Sequence, residues 1–198
     1  RMHSLAREAG PHVPESWIIK APAELEAIAP QNGFPLVVKA ERSLAWLDGY
    51  GQALETRYVT DRTTLKDIWA RYALYGDVLV QSRVTGHGVG LGLLARDGLL
   101  VNCFQYRRLH EVPLTGGGSA YRVSETLDPM LEAQATQLVR QLRWHGTMML
   151  EFKYDPYAKM YWFIEANGRF WGGLPLALAA GVDFPQQLVA LYQHQPVS

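Results

Sequence analysis

The stretch that most constrains this chain is GTMMLEFKYDPYAKMYWFIEANGRFWGG, residues 146–173. Two apolar runs, 147–152 and 160–164, flank the polar connection DPYAK, which predicts antiparallel strands joined by a turn. Each run ends on a carboxylate, Glu151 in MLEF and Glu165 in FIEANGR. Asn167 and Arg169 follow Glu165 in steps of two, so in an extended segment the three side chains share one face. Pairing of the strands around Asp155 and Pro156 would set Glu151 beside Glu165. Two carboxylates and an amide oxygen converging in this way suit Mg²⁺, a hard ion that takes oxygen ligands and keeps part of its coordination for water and phosphate. Arg169 would stand where a phosphate or acyl-phosphate oxygen needs a fixed fork of donors. The setting is otherwise apolar, with WFI before Glu165, MML before Glu151 and FW after Arg169. Charged residues are rarely buried unless paired or bound to metal.

Nineteen basic residues balance nineteen acidic ones, with no Lys/Arg run, so charge gives no support to a nucleic-acid or anionic-membrane partner. The 198 residues, 48% of them hydrophobic, suffice for one sizeable domain or two small lobes. The single cysteine, Cys103 in LLVNCF, excludes a disulfide within the chain and fits a reducing compartment. No stretch approaches the roughly 20 apolar residues of a membrane span, and RMHSLAREAG lacks the apolar core of a signal peptide. The expected location is cytoplasmic, and the chain reads as a fragment of something longer.

Along the chain, residues 1–9 predict a helix closed by Gly10, 13–20 lead into a strand, 22–30 form a helix and 34–40 a strand. Residues 41–54 lack a clean period and predict a mobile loop carrying Gly49 and Gly51, with a strand at 55–59. Asp61 caps a helix, 77–84 is a strand, and TGHGVG (85–90) predicts a glycine-rich crossing at a lobe boundary. Residues 89–106 predict two strands about an Asp97-Gly98 turn, and 107–122 a loop. A helix from Asp128 to Trp144, the hairpin, and helices near 174–180 and 184–193 complete an α+β chain, with lobes at 1–84 and 85–198.

Several further residues fit phosphate or nucleotide chemistry. Lys39 ends the apolar strand PLVVKA, where an ammonium can reach a phosphate as a point charge. The Gly49/Gly51 loop can offer backbone N–H groups to phosphates. VLVQSRV would be a hinge at which a base hydrogen-bonds to main chain around Gln81, Ser82 and Val84. Arg107, Arg108 and His110 directly follow a strand, and residues 115–119 with Arg122 offer a cradle for a carboxylate or phosphate. The chain holds no G-x-x-x-x-G-K-[ST], no G-x-S-x-G and no zinc-ligand spacing among its six histidines.

In order, Lys39, the Gly49/Gly51 loop, VLVQSRVTGHGVG, the arginines of FQYRRLHEVPLTGGGS, Glu151 in LEF and Glu165-x-Asn167-x-Arg169 resemble the pattern of the ATP-grasp superfamily. The resemblance spans nearly the whole chain from about Val13. It is nearest the carbamoyl-phosphate synthase large-chain and carboxylate–amine ligase branch, and more distantly similar to D-alanine–D-alanine ligase and biotin carboxylase. It implies an ATP-grasp fold, two α+β lobes with the nucleotide between them. Lys39 and the loop at 43–52, with Gly49 and Gly51, would hold phosphates, while Gln81, Ser82, Arg83 and Val84 would face the adenine. Glu151, Glu165 and Asn167 would bind Mg²⁺, with Mn²⁺ as an alternative, and Arg169 and Arg108 would act at the transferring group. The expected activity is that of an ATP-dependent carboxylate–amine ligase, working on small-molecule carboxylate and amine substrates through an acyl phosphate. A carbamoyl-phosphate-synthase-like domain phosphorylating bicarbonate and a non-catalytic nucleotide-binding module are the alternatives. The family's usual N-terminal α/β lobe is expected to be absent from this chain; a homodimer or that lobe would be its partner.

Overall fold

The computed structural model describes residues 2–8, 10–28, 33–42, 44–47, 50–112 and 118–197. They divide into two compact units, Pro14–Val84 and a larger one made of Arg1–Val13 with Thr85–Ser198.

In the smaller unit, strands β1 (Ser16–Ile19), β2 (Leu36–Ala40), β5 (Arg57–Val59) and β6 (Val78–Ser82) form an antiparallel sheet in the order β1-β6-β2-β5. Alternate residues Leu36, Val38, Val59, Val78 and Val80 point to one face. There they meet Leu25 of helix α2 (Pro22–Glu26) and Leu65 and Tyr72 of helix α3 (Arg62–Tyr72). Asp61 caps α3 by accepting from the Thr64 N–H at 2.8 Å, as its sequence predicts. The expected loop at 41–54 is instead largely a two-stranded ribbon, β3 (Leu44–Leu47) with β4 (Tyr50–Ala53). Leu44, Trp46 and Tyr50 stand exposed on it while the small Ala45 is buried, so its large apolar residues lie on the solvated side and the sequence pattern does not reveal the strands.

In the larger unit, β7 (His87–Arg96), β8 (Leu99–Val112), β9 (Gly118–Ser124), β10 (Gly146–Asp155) and β11 (Met160–Asn167) form an antiparallel sheet in the order β11-β10-β7-β8-β9. One face carries Val89, Leu91, Leu93, Met148, Leu150, Phe152 and Phe163 against α1 (Met2–Glu8) and α4 (Pro129–Leu142). The other carries Leu94, Phe104, Tyr106 and Met149 against α5 (Leu174–Ala179) and α6 (Phe184–Tyr192). The central strands β7, β8 and β10 thus contribute residues from both faces to two different apolar clusters, which is why 89–95, 99–104 and 147–152 read as nearly continuous apolar runs.

Three expectations change here. Residues 1–13, predicted with the first lobe, belong to the larger unit: Ala6 is buried in its core, and the His12 carbonyl accepts from the Phe163 N–H at 2.8 Å. The predicted crossing at 85–90 is already strand from His87. The predicted loop at 107–122 is strand at both ends, up to Val112 and again from Gly118, while residues 113–117 lie outside the described residues. The Asp97-Gly98 turn is as expected, with φ of 50° and 88° at its two central residues.

A partly buried polar link ties α4 to the sheet. Asp128 caps the helix by accepting from the Met130 N–H at 2.8 Å, and its second oxygen accepts from the Tyr161 hydroxyl at 2.8 Å. Burial, reinforced by that bond, pushes the Tyr161 phenol well above its ordinary range. Tyr161→Phe keeps the ring contacts with Phe152 and Tyr154 and removes this bond together with the hydroxyl's contact with Gln105. It is expected to cost about 1 kcal/mol, read as a lower denaturant midpoint at unchanged m.

Candidate active site

The predicted hairpin forms in the expected register. Glu151 of β10 lies directly opposite Glu165 of β11, so the two carboxylates stand on one face of the sheet. A bulge follows at once: Phe152 is opposite Phe163, which leaves Ile164 as the extra residue. The bulge keeps Phe152 and Phe163 on the apolar face beside α4 while both glutamates stay on the other.

Glu151 also lies opposite Gly90 of β7, which in turn lies opposite Tyr106 of β8. Every second residue of β7 from 88 to 92 is glycine, so over that span this face of the central strand bears no side chains of its own. Its neighbours fill the trough. A Cβ at Gly88 would meet Glu111 and Arg108, one at Gly90 the Tyr106 ring, and one at Gly92 the Trp171 indole. The glycines therefore let charged and aromatic groups from β8 and from the segment after β11 lie flat on the sheet, next to the two glutamates.

The Arg108 guanidinium donates to Glu151 at 2.8 Å and approaches Glu111 at 3.8 Å. Lys153, two residues beyond Glu151, stands 4.0 Å from Glu111. Burial works against the Arg108 charge, but the Glu151 carboxylate, together with Tyr106 and Glu111, outweighs it and holds the guanidinium more firmly protonated than usual. Burial raises the Tyr106 phenol, partly countered by Arg108, so Tyr106 is a neutral member of this group.

The strand ends at Asn167, and Arg169 does not continue it. The chain turns, and the Arg169 N–H donates to the Asn167 carbonyl at 2.9 Å. The expected steps of two thus hold for Glu165 and Asn167 and fail for Arg169. The turn nevertheless brings the two side chains together, with Arg169 Nη2 donating to Asn167 Oδ1 at 3.2 Å. The segment carrying Arg169 is fixed on both sides. Gly168 lies so close to the Trp144 ring that a Cβ would clash with it. Trp171 is buried over Gly92 and meets Phe184 edge-on, with centroids 5.2 Å apart. The Arg122 guanidinium donates to the Gly172 carbonyl at 2.6 Å.

The donor set fits a hard divalent cation. Glu151 engages Arg108 through one oxygen and has a second. Glu165 is exposed, and Asn167 adds an amide oxygen. Among the described residues no group of three His, Cys, Asp or Glu side chains forms a metal cluster, so any metal here relies on the amide or on ligand oxygens as well.

The remaining predicted residues belong to the smaller unit. Lys39 and Gln81 lie on the sheet face opposite α2 and α3, together with Val37, Leu79 and the exposed Ile18. The Gln81 and Ser82 side chains hold β1 to β6. Gln81 donates to Ser16 Oγ at 3.0 Å, and Ser82 bonds Glu15 by side chain and by main chain. Arg83 and Val84 follow the end of β6, and Arg83 sits over the Tyr58 ring at 6.0 Å. Gly51 pairs with Trp46 in the ribbon, and Gly49 lies outside the described residues.

Sequence reasoning missed Tyr106, Glu111, Lys153 and Trp171. The alternation of glycine at 88, 90 and 92 was the available signal, since a strand with one bare face must receive its cover from elsewhere.

No family model matches the chain. Solved structures do resemble it. A biotin carboxylase from Campylobacter jejuni, solved as a β-γ-ATP complex, matches with a TM-score of 0.77 at 16% identity, over 99% of this chain and 46% of its own. An L-amino acid ligase from Bacillus licheniformis matches with 0.65 at 17%, over 95% and 45% respectively. A RiPP-associated ATP-grasp ligase from Chryseobacterium gregarium, in complex with ADP and a leader and core peptide, matches with 0.68 at 14%, over 98% and 59%. The chain thus spans about half the length of these structures.

Proposed function

We propose that this chain, which has the ATP-grasp fold, is the ATP- and Mg²⁺-binding part of an ATP-dependent ligase. In this reading the enzyme activates a carboxylate as an acyl phosphate for attack by an amine. The observation that carries the reading is the in-register pair Glu151–Glu165, flanked by Arg108 on one side and by the bonded pair Asn167–Arg169 on the other.

Phosphoryl transfer needs positioning and charge neutralisation more than a covalent protein group. Glu151, Glu165 and Asn167 would hold Mg²⁺, which neutralises the charge on the triphosphate oxygens when bound. Arg169 presents a planar fork, already oriented by Asn167, to the oxygens of the group in transfer. Lys39, Gly49 and Gly51 are assigned to phosphates, and the main chain at Gln81, Ser82, Arg83 and Val84 to the base. A carboxylate oxygen of the substrate attacks the γ-phosphorus and ADP leaves. The amine then attacks the acyl carbon, phosphate departs, and the nitrogen gives up a proton. ADP released only when carboxylate and amine are both supplied supports this reading. ADP that never forms with any carboxylate–amine pair contradicts it.

Arg169→Ala tests the assignment at the phosphoryl group. Because Arg169 is exposed and its loss leaves the strand pairing intact, kcat is expected to fall by about 10²-fold or more, with KM for ATP within about threefold of wild type. Equal losses in both would make Arg169 a residue of ground-state binding.

A further inference from the structure

On the glycine-bared face of β7, four charged side chains are largely withdrawn from solvent: Arg108, Glu111, Glu151 and Lys153, with side-chain exposures of 11%, 14%, 20% and 25%. Two positive and two negative groups balance one another. Arg108 is the shared member, 2.8 Å from Glu151 and 3.8 Å from Glu111, and Lys153 backs Glu111 from the other side at 4.0 Å. Resting on the metal–nucleotide reading above, we infer that Arg108 is an internal counter-ion of Glu151 that makes divalent-cation binding depend on the nucleotide.

The argument is one of charge. Glu151 already has the positive partner that a partly buried carboxylate requires, in a short charge-assisted bond. A divalent cation arriving alone must compete with that guanidinium and stand near both it and Lys153, in surroundings that screen poorly. A triphosphate changes the balance, because it offers Arg108 replacement oxygens. Glu111 lies within reach to keep the guanidinium anchored once it loosens its hold on Glu151. Glu151 is then released to the cation. Cation and nucleotide should therefore strengthen each other's binding, by equal factors as linkage requires.

Mn²⁺ followed by electron paramagnetic resonance reads this directly, with and without a non-hydrolysable ATP analogue. In Arg108→Gln, Mn²⁺ without nucleotide is expected to bind about tenfold more tightly than in wild type, and the enhancement by the analogue to shrink by a similar factor. Lys153→Gln removes an equal charge from the same face without touching Glu151, and is expected to change Mn²⁺ binding by less than about threefold. Equal tightening in the two variants would reduce the effect to overall charge and overturn the counter-ion role, as would no tightening in Arg108→Gln. Should Arg108→Gln fail to fold, Glu111→Gln decides. It leaves Arg108 bound to Glu151 alone, so Mn²⁺ without nucleotide should bind more weakly and the analogue should enhance it less; unchanged coupling overturns the inference. Wild-type protein that binds no Mn²⁺ even with the analogue would instead defeat the metal–nucleotide reading, and this inference with it.

Discussion

Glu165→Gln is expected to lower Mg²⁺-dependent ADP formation by at least about 10³-fold while leaving the fold nearly unchanged. The two halves of this expectation come from different observations. Glu165 is exposed near the end of β11, and an isosteric amide at an exposed site should shift stability by no more than about 0.5 kcal/mol. Its carboxylate, however, stands opposite Glu151, and an amide offers a cation one neutral oxygen in place of an anionic pair. Equal thermal melts with lost turnover would fit the assignment. Unchanged turnover at saturating Mg²⁺ would remove Glu165 from the metal site.

Gly92→Ala is expected to be among the most damaging single-methyl additions in the larger unit. The new Cβ would fall within the Trp171 ring, which is 4% exposed and held against Phe184, so neither the strand nor the indole has room to yield. Overpacking of this kind costs about 1–3 kcal/mol, and the upper end is expected here because the obstacle is a rigid ring. Displacing Trp171 also shifts the segment that holds Arg169, so turnover should fall in whatever fraction remains folded. Gly51→Ala is the matched control. A Cβ there meets Leu44 at an ordinary 3.5 Å, and the substitution should leave stability nearly unchanged. Tryptophan fluorescence and denaturant midpoints separate the cases; a Gly92→Ala protein as stable as wild type would mean that Trp171 is not wedged in this trough.

The hairpin that carries the candidate site is legible in the sequence because its signals are local. Glu151 and Glu165 fall on two apolar runs about a short polar turn, and period and turn together set their register. The cap at Asp61 and the Asp97-Gly98 turn are equally short-range. What could not be read depends on neighbours that meet through a third strand. Arg108 reaches Glu151 across β7, from β8 to β10, and only because Gly88 and Gly90 leave the way open. In the sequence, RRLHEV shows no apolar alternation, because charged side chains occupy the face that the glycines leave bare, and it reads as loop. The two-residue spacing puts Arg169 on an extended segment, but the backbone turns after Asn167, and it is a side-chain bond that restores the neighbourhood. Hydrophobic period carries no information about such a bond.

The central claim is that Glu151, Glu165 and Asn167 bind a metal–nucleotide complex. It is tested most directly by calorimetric titration of this chain with a non-hydrolysable ATP analogue, with Mg²⁺ and with chelator, for wild type and Glu165→Gln. The account predicts saturable binding that requires Mg²⁺ and weakens sharply in the variant. Binding indifferent to both Mg²⁺ and Glu165, or no binding under either condition, would contradict it.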